Sequence, residues 1–185
     1  DTHAGGGRYD LFSAEAMRSP EWQQGIGELW DWTDAPQAVA RLNQAILADN
    51  ADGALHYYPG SPLLIAGALR HGDTLDACEL HPEEFAALKR DVGRAEGVRV
   101  HARDGFEALT GLLPPKQRRG LVLIDPPFEE PGEITKTVNA LAPALQRFGH
   151  GVYLWWRPLK SSGELSRADA ELRATGAGKL LRTDL

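Results

Sequence analysis

The tetrapeptide Asp125-Pro126-Pro127-Phe128 directly follows the apolar run 121–124, and its groups suit a planar amine. A strand ending here would deliver the Asp125 carboxylate to the carboxyl edge of a parallel sheet, where open α/β folds bind their ligands. The two prolines donate no N–H, so this loop offers carbonyl oxygens and a rigid wall, and Phe128 offers a ring for stacking. The pattern fits the exocyclic amine of a nucleobase, while a plain turn after a buried strand explains it equally well.

Further candidate ligand-binding residues lie at the ends of other predicted strands. The glycine-rich segment 5–7 allows close approach of the backbone to a ligand and positive φ angles. Glu79 ends the next strand and can accept hydrogen bonds from both ribose hydroxyls, whereas Asp104-Gly105 follows the strand after it, beside the expected adenine position. A surface acid at Glu79 and a simple helix cap at Asp104 are the alternatives.

Apolar spacing after residue 60 predicts alternating helices and strands. Ser61 is predicted to cap the first of these helices, with a proline following it. Strands alternating with helices imply a parallel sheet with right-handed crossovers. The predicted helices span 61–69, 81 onward, 104–113, 133–148 and 164–174, and the predicted strands span 74–80, 98–101, 121–124, 152–156 and 180 onward.

Residues 12–60 interrupt this alternation. Apolar stripes predict one helix from Ser19 and a second from Ala35 to Leu47. A helical insertion of about 45 residues is far longer than an ordinary βα connection. It is interpreted either as a lid or substrate-binding wall, or as a packing appendage.

A length of 185 residues and an ordinary composition favour one domain. No signal peptide and no long apolar run is visible in the sequence, so we expect an intracellular protein. The single Cys78 is expected to be a buried, inert thiol, and the histidines show no metal-ligand spacing, so no metal site is predicted. A net charge of −6 argues against broad electrostatic binding of nucleic acid. Local contacts are then needed, and the candidates are Lys116, Arg118, Arg119, Arg147, Arg157 and Lys160.

Five stretches of the chain together resemble one family. Asp125-Pro126-Pro127-Phe128 matches the (D/N)-P-P-(F/Y/W) signature of S-adenosylmethionine-dependent amino methyltransferases. In order along nearly the whole chain, the stretches resemble the family of ribosomal large-subunit RNA adenine-N6 methyltransferases J, also described as needed for using external DNA as a nutrient. The matching stretches are 1–9, 57–62, 79–82, 104–106 and 118–128.

This resemblance implies a Rossmann-like α/β methyltransferase with a helical insertion, acting in the cytoplasm on 23S ribosomal RNA before ribosome assembly is complete. It implies Asp125 as the catalytic residue, and a target-base pocket formed by Pro126, Pro127 and Phe128, with Tyr9 shaping it or only packing. Phe128 stands where relatives often have tyrosine. The implied contacts to S-adenosylmethionine come from His3, Ser61, Glu79, Asp104, Gly105 and Asp125.

The family also has a segment before the glycine-rich loop, with a central strand, and further strands after residue 185. We therefore expect residues 1–185 to be one methyltransferase domain, truncated at both ends, which would not fold well as given. Two other functions stay open. One is the same chemistry on DNA adenine or a protein glutamine, and the other is a non-catalytic nucleic-acid-binding protein linked to use of external DNA.

Overall fold

The computed structural model describes residues 1–159, 162–176 and 178–183, and it has a mixed α/β fold. The chain divides into two compact units. The first contains residues 1–4, 77–82 and 101–185, and the second contains residues 5–76 and 83–100. Strand β3 (Leu75–Glu79) pairs with β4 (Val98–Ala102), and each of these strands is divided between the two units.

The first unit is built around two parallel strands covered by helices. β5 (Leu121–Ile124) pairs in parallel with β6 (Val152–Trp155), so that Ile124 lies opposite Trp155. Helices α5 (Gly105–Gly111), α6 (Glu133–Arg147) and α7 (Ser162–Ala174) belong to the same unit. Parallel strands joined by a helical crossover are the arrangement that the alternating sequence predicted.

The core of the first unit follows from the spacing of apolar residues on α6. Ile134, Val138 and Leu141 recur at helical spacing and are buried against Ile124, which is fully buried on β5. Burial of one such side chain contributes about 1.5–3 kcal/mol. The helix continues through Pro143. This packing fixes β5, and thereby the loop that follows it.

The second unit holds an antiparallel pair of strands that the sequence did not predict. β1 (Arg8–Asp10) pairs with β2 (Tyr57–Pro59), and the chain between them forms a short 3₁₀ helix, α1 (Ile26–Trp30) and α2 (Gln37–Leu47). The 3₁₀ helix spans Glu21–Gln23, so the helix expected from Ser19 is broken into two short pieces. Each strand has three residues, too few for alternation to be visible.

The second unit also contains α3 (Ser61–Ala68) and most of α4 (Pro82–Val92). Only Pro82, the first residue of α4, belongs to the first unit. Gly60 is the N-cap of α3 and Ser61 is its first helical residue, so the predicted cap at Ser61 is wrong by one position. The extended backbone of Gly60 (φ −67°, ψ 172°) is the typical conformation of an N-cap.

The last strand predicted from the sequence is not confirmed. Residues 178–183 form no strand, so the strand predicted from Leu180 is not present in its described part, and residues 184–185 lie outside the described residues. Cys78 is buried, as expected. Trp155 is half-buried against the core, and its neighbour Trp156 is exposed.

Candidate active site

The segment Asp1–Ala4 lies between two strands and holds the site together. The Thr2 N–H donates to the Leu123 carbonyl of β5 at 3.0 Å. On the other side, the Cys78 N–H of β3 donates to the Asp1 carbonyl at 2.9 Å, and the Ala4 N–H donates to the Cys78 carbonyl at 2.9 Å. The segment therefore places His3 between the strands that end at Glu79 and Ile124.

His3 is held as a neutral imidazole. The Thr2 hydroxyl donates its single hydrogen to the Leu123 carbonyl at 3.1 Å, so its oxygen accepts from Nδ1–H of His3 at 2.8 Å. Burial lowers the pKa of His3 to about 4, against a smaller opposing effect of Asp104 and Glu79. At neutral pH the Nε2 atom of His3 is therefore a hydrogen-bond acceptor.

Asp104 both caps a helix and keeps a carboxylate oxygen at the site. Its Oδ1 accepts from the N–H of Phe106 at 2.7 Å and of Glu107 at 3.1 Å, which makes it the N-cap of α5. Its Oδ2 faces the ammonium of Lys136 at 3.8 Å. The two readings of Asp104 from sequence, cap and ligand, are thus compatible because they use different oxygens.

Gly105 is required by close packing. A Cβ at this position would lie 2.0 Å from the Thr2 carbonyl oxygen and 2.9 Å from Cε1 of His3. The edge of the His3 ring packs on Phe106, with ring centroids 4.8 Å apart. Any side chain at residue 105 would displace the N-terminal segment that carries His3.

Glu79 ends β3, and its position is fixed locally. Its Oε1 accepts from the His81 N–H at 2.7 Å, and its backbone carbonyl accepts from the Arg103 N–H at 3.2 Å. The side chain is half-buried, close enough to His3 for its charge to affect that imidazole. The arrangement gives a carboxylate at a strand end, as the sequence predicted.

Asp125 follows β5 directly. Its side chain has an exposed face, yet neighbouring atoms exclude enough water to raise the pKa of its carboxyl above the ordinary range. Pro126 is fully buried and Pro127 is exposed. Phe128 has a φ of 53°, a left-handed conformation that is unusual for an aromatic residue, and its half-buried ring packs on the core.

A cleft of about 1200 Å³ within the first unit is lined by Asp125 together with Leu123 and the end of β6. Trp155 and the exposed Trp156 also line it. The cleft is large enough for a nucleoside and is open to solvent. Most of its walls come from residues 149–159 and 169–183, and none of His3, Glu79 and Asp104 lines it. The structure therefore does not join Asp125 to those residues through this cleft.

Tyr9 and Ser61 belong to the second unit. Tyr9 lies on β1 with an exposed side chain, and its ring lines a separate cleft of about 430 Å³ with Trp22 and Tyr58. In this unit the Gly60 N–H donates to the Gly7 carbonyl at 2.6 Å, which fixes the glycine-rich loop beside the start of α3. Gly5 and Gly7 have positive φ angles, as expected of this loop.

Two residues of the site were missed by the sequence. Thr2 orients His3, and Lys136 faces Asp104 from α6. The threonine beside a candidate histidine was a visible signal, because hydroxyls commonly orient imidazoles. No sequence signal pointed to Lys136, since Lys136 on α6 and Asp104 at the start of α5 are far apart in the chain.

Two of the basic residues proposed for RNA contacts already bind other groups of the protein. Arg147 donates to the Thr110 and Leu113 carbonyls, and Arg157 pairs with Asp169 at 2.7 Å. The remaining candidates in the described part of the chain are exposed on the loop before β5 and are Lys116, Arg118 and Arg119. Lys160 lies outside the described residues.

Over residues 1–159, 162–176 and 178–183, no group of three His, Cys, Asp or Glu side chains is arranged to hold a metal ion. Within the same ranges, no helix has the length and apolar character needed to cross a membrane.

Comparison with known proteins gives a match over the entire chain. The model of the family described as ribosomal RNA large subunit methyltransferase D, RlmJ (RsmJ) matches residues 1–185. Two relatives named ribosomal RNA large subunit methyltransferase J are similar, one from Escherichia coli (strain K12) at 39% identity over 185 residues and one from Haemophilus influenzae (strain ATCC 51907 / DSM 11121 / KW20 / Rd) at 41% identity over 186 residues.

These matches cover 100% of this chain and 66% of each relative. A crystal structure of a Legionella pneumophila (strain Philadelphia 1) protein superposes with a TM-score of 0.86 at 33% identity, covering 94% of this chain and 64% of that one. The chain thus spans slightly less than two thirds of the length of the relatives it matches.

Proposed function

The chain belongs to the ribosomal RNA large subunit methyltransferase D, RlmJ family, as its motifs predicted, and we propose that it methylates the exocyclic N6 amine of an adenine in 23S ribosomal RNA. The names of its relatives support an RNA substrate. One observation carries the proposal for this chain: Thr2 bonds to β5 two residues before Asp125, and thereby holds His3 beside the strand of the DPPF motif.

S-adenosylmethionine is the methyl donor that methyltransferases generally use, and the hydrogen-bond acceptors of the candidate site suit its polar groups. Glu79 supplies a carboxylate for a ribose diol and Asp104 supplies one for an adenine amine. The neutral His3 supplies an acceptor for the ammonium of the amino-acid part. The acidic surroundings suit a sulfonium cation. We propose that these residues, with Gly105 and Asp125, form the cofactor site in the first unit. Ser61 belongs to the second unit, and its cofactor contact stays a prediction from the sequence.

The cofactor supplies a methyl group that is already activated by a sulfonium leaving group, which leaves alignment to the protein. An adenine amine is a poor nucleophile because its lone pair is delocalised into the ring. Asp125 and the Pro126 carbonyl would accept its two hydrogens and favour a pyramidal nitrogen. Asp125 acts first as an oriented acceptor, and proton loss accompanies or follows transfer.

The target base must leave its helix to reach Asp125, because an exocyclic amine inside a duplex is paired. Pro127 and the ring of Phe128 would contact the flipped base, and the part of Tyr9, which belongs to the second unit, stays a prediction from the sequence. The left-handed backbone at Phe128 supports a functional role, because strain of about 1–3 kcal/mol is usually retained at ligand sites.

The finer fold assignment is part of the same proposal. We assign a Rossmann-like sheet to the strands that end at Glu79, Ala102, Ile124 and Trp155, with residues 12–60 as a helical insertion that helps to bind RNA. Support comes from the parallel pair β5 and β6 and from the helices between β1 and β2.

The test is transfer of a labelled methyl group from S-adenosylmethionine to three substrates in parallel. We expect label in 23S ribosomal RNA, with N6-methyladenosine as the modified nucleoside in its digest. Transfer only to DNA or to a protein glutamine would replace this proposal by one of the alternatives. Cofactor-independent binding of nucleic acid without transfer would indicate a binding protein.

The stage of ribosome assembly is tested by comparing free 23S RNA with assembled large subunits. We propose that free RNA is the substrate, because the base has to be unpaired and reachable. Equal rates on both would contradict this part alone.

A further inference from the structure

Lys136 lies in the second turn of α6, where its backbone N–H donates to the Gly132 carbonyl at 2.9 Å. Its ammonium extends to the start of α5. There it lies 4.5 Å from the centroid of the Phe106 ring and 3.8 Å from Oδ2 of Asp104. One lysine therefore contacts both side chains that flank the first turn of α5.

The distance to Asp104 indicates an electrostatic contact, since an N–H···O hydrogen bond is about 2.7–3.2 Å long. Oδ1 of Asp104 is committed to two N–H groups of α5, so the carboxylate plane is fixed by the helix. Oδ2 then points toward Lys136 and keeps lone pairs for a ligand. The ammonium lies farther from Oδ2 than a hydrogen bond allows, so it does not cover this acceptor.

The Phe106 ring is restrained from two sides. The His3 ring meets it edge-on, at 65° between planes, and Lys136 lies over it. Both contacts are between residues of one unit, and the first involves His3, which is assigned above to the cofactor site. Lys136 thus links the helix that follows the DPPF loop to the carboxylate at the end of β4.

These contacts add little to folding. The Lys136 side chain is 55% exposed, and ion pairs and cation–π contacts in such exposed positions contribute little to stability. An exposed lysine that contacts a fixed acceptor and a fixed ring has more effect on a ligand there than on the fold.

We propose that Lys136 is a positioning residue of the cofactor site, which acts through Asp104 to orient the oxygen that accepts the adenine amine. This inference rests on the proposed function and adds to it a residue that the motifs do not contain. The residue does not touch the transferred methyl group.

The test is calorimetric binding of S-adenosylhomocysteine to the protein and to Lys136→Met, which keeps the length of the side chain. We expect about a 3- to 10-fold weaker affinity, with kcat at saturating S-adenosylmethionine changed less than about 2-fold and KM raised. Lys136→Arg should restore most of the affinity. Lys89→Met is the matched control, because Lys89 also lies over a phenylalanine on a helix, 5.9 Å from the Phe85 centroid.

A double-mutant cycle shows whether Lys136 acts through Asp104. Asparagine is an equally good N-cap, so Asp104→Asn removes the charge while keeping α5 capped. In the Asp104→Asn background, Lys136→Met should have no further effect on affinity. An undiminished effect there would overturn the inference, and so would unchanged affinity of Lys136→Met alone.

Failure of the two proposals gives different results. If the unsubstituted protein binds no S-adenosylhomocysteine, the proposed function fails and this inference fails with it. If the unsubstituted protein binds it and the Lys136 variants bind equally well, only the inference is overturned. Melting temperatures confirm that each variant is folded.

Discussion

At the scale of single residues, loss of water moves the pKa values of two candidate site residues in opposite directions. Burial disfavours a charged form, so it lowers the pKa of His3 and raises that of Asp125. At neutral pH the imidazole is therefore neutral, and Nε2 of His3 is a hydrogen-bond acceptor. In the proposed reaction the ionised form of Asp125 would be the second acceptor.

Asp125→Asn should reduce methyl transfer by about 100-fold or more, because it removes one oriented acceptor from the reacting amine. Affinity for S-adenosylhomocysteine should fall much less. The measurement is single-turnover transfer together with calorimetric binding. Glu129→Gln is the control, since Glu129 is exposed on the same loop. Equal loss of rate in both variants would argue against a catalytic role for Asp125.

The raised pKa of Asp125 also predicts a pH dependence. Activity that needs the carboxylate should fall as the pH decreases through a value above the ordinary 3.8 of aspartate. A pH–rate profile of single-turnover transfer measures this limb, and a limb at or below 3.8 would contradict it.

His3 predicts a pH dependence of stability with a defined sign. Its pKa in the folded state is about 4, below the 6.5 of an exposed histidine, so the unfolded state binds more protons between these values. Stability should be lost as the pH falls from 6.5 through 4, by up to about 3 kcal/mol. Urea unfolding of the protein and of His3→Gln checks this, because the loss in that pH range should be smaller in the variant.

At the scale of elements, one buried side chain in the second unit joins the start of β2 to the end of α2. Asn50 follows α2 and donates from Nδ2 to the carbonyls of Ile46 and Tyr57, at 2.9 and 2.8 Å. Its Oδ1 accepts from the N–H groups of His56 and Tyr57 at 2.8 and 2.9 Å. The amide thus fixes the start of β2 against the end of α2.

Asn50→Ala should destabilise the protein by about 2–4 kcal/mol, because it leaves buried backbone groups without partners. Asn139→Ala is a suitable control, since Asn139 is exposed on α6 and its loss should change stability by less than about 0.5 kcal/mol. Chemical denaturation measures both. A loss below 1 kcal/mol for Asn50→Ala would mean that water replaces the amide.

At the scale of the whole molecule, charge limits how the proposed RNA substrate can be bound. The net charge is −6, and two of the candidate arginines, Arg147 and Arg157, are engaged within the protein. The exposed basic run 116–119 precedes β5, whereas Asp125 follows it, so the run and the candidate site lie at opposite ends of that strand. Recognition of the target is then expected to depend on the base more than on its phosphates.

The affinity for single-stranded RNA should therefore depend weakly on salt. A slope of log K against log salt between 0 and about −2 corresponds to three or fewer phosphate contacts. Fluorescence anisotropy with a labelled adenine-containing oligonucleotide between 50 and 300 mM salt gives the slope. A slope near −5 would show a broad electrostatic interface that the charge distribution does not suggest.

The sequence by itself determined the family, the chain order of the main elements and the identities of most candidate site residues. These follow from local information: apolar periodicity marks α6, an uninterrupted apolar run marks β5, and the DPPF tetrapeptide follows that run directly. Three-residue strands such as β1 carry too little periodicity to be found in this way.

Only the tertiary structure decided which groups meet. Asp104 proved to be a cap through one oxygen and a candidate ligand through the other, and Gly105 proved to be required by the Thr2 carbonyl rather than by its own backbone angles. The contact of Lys136 with Asp104 joins residues 32 positions apart on different helices, where no sequence pattern relates them. Such contacts depend on how helices pack on the sheet, and packing is a property of the entire set of side chains.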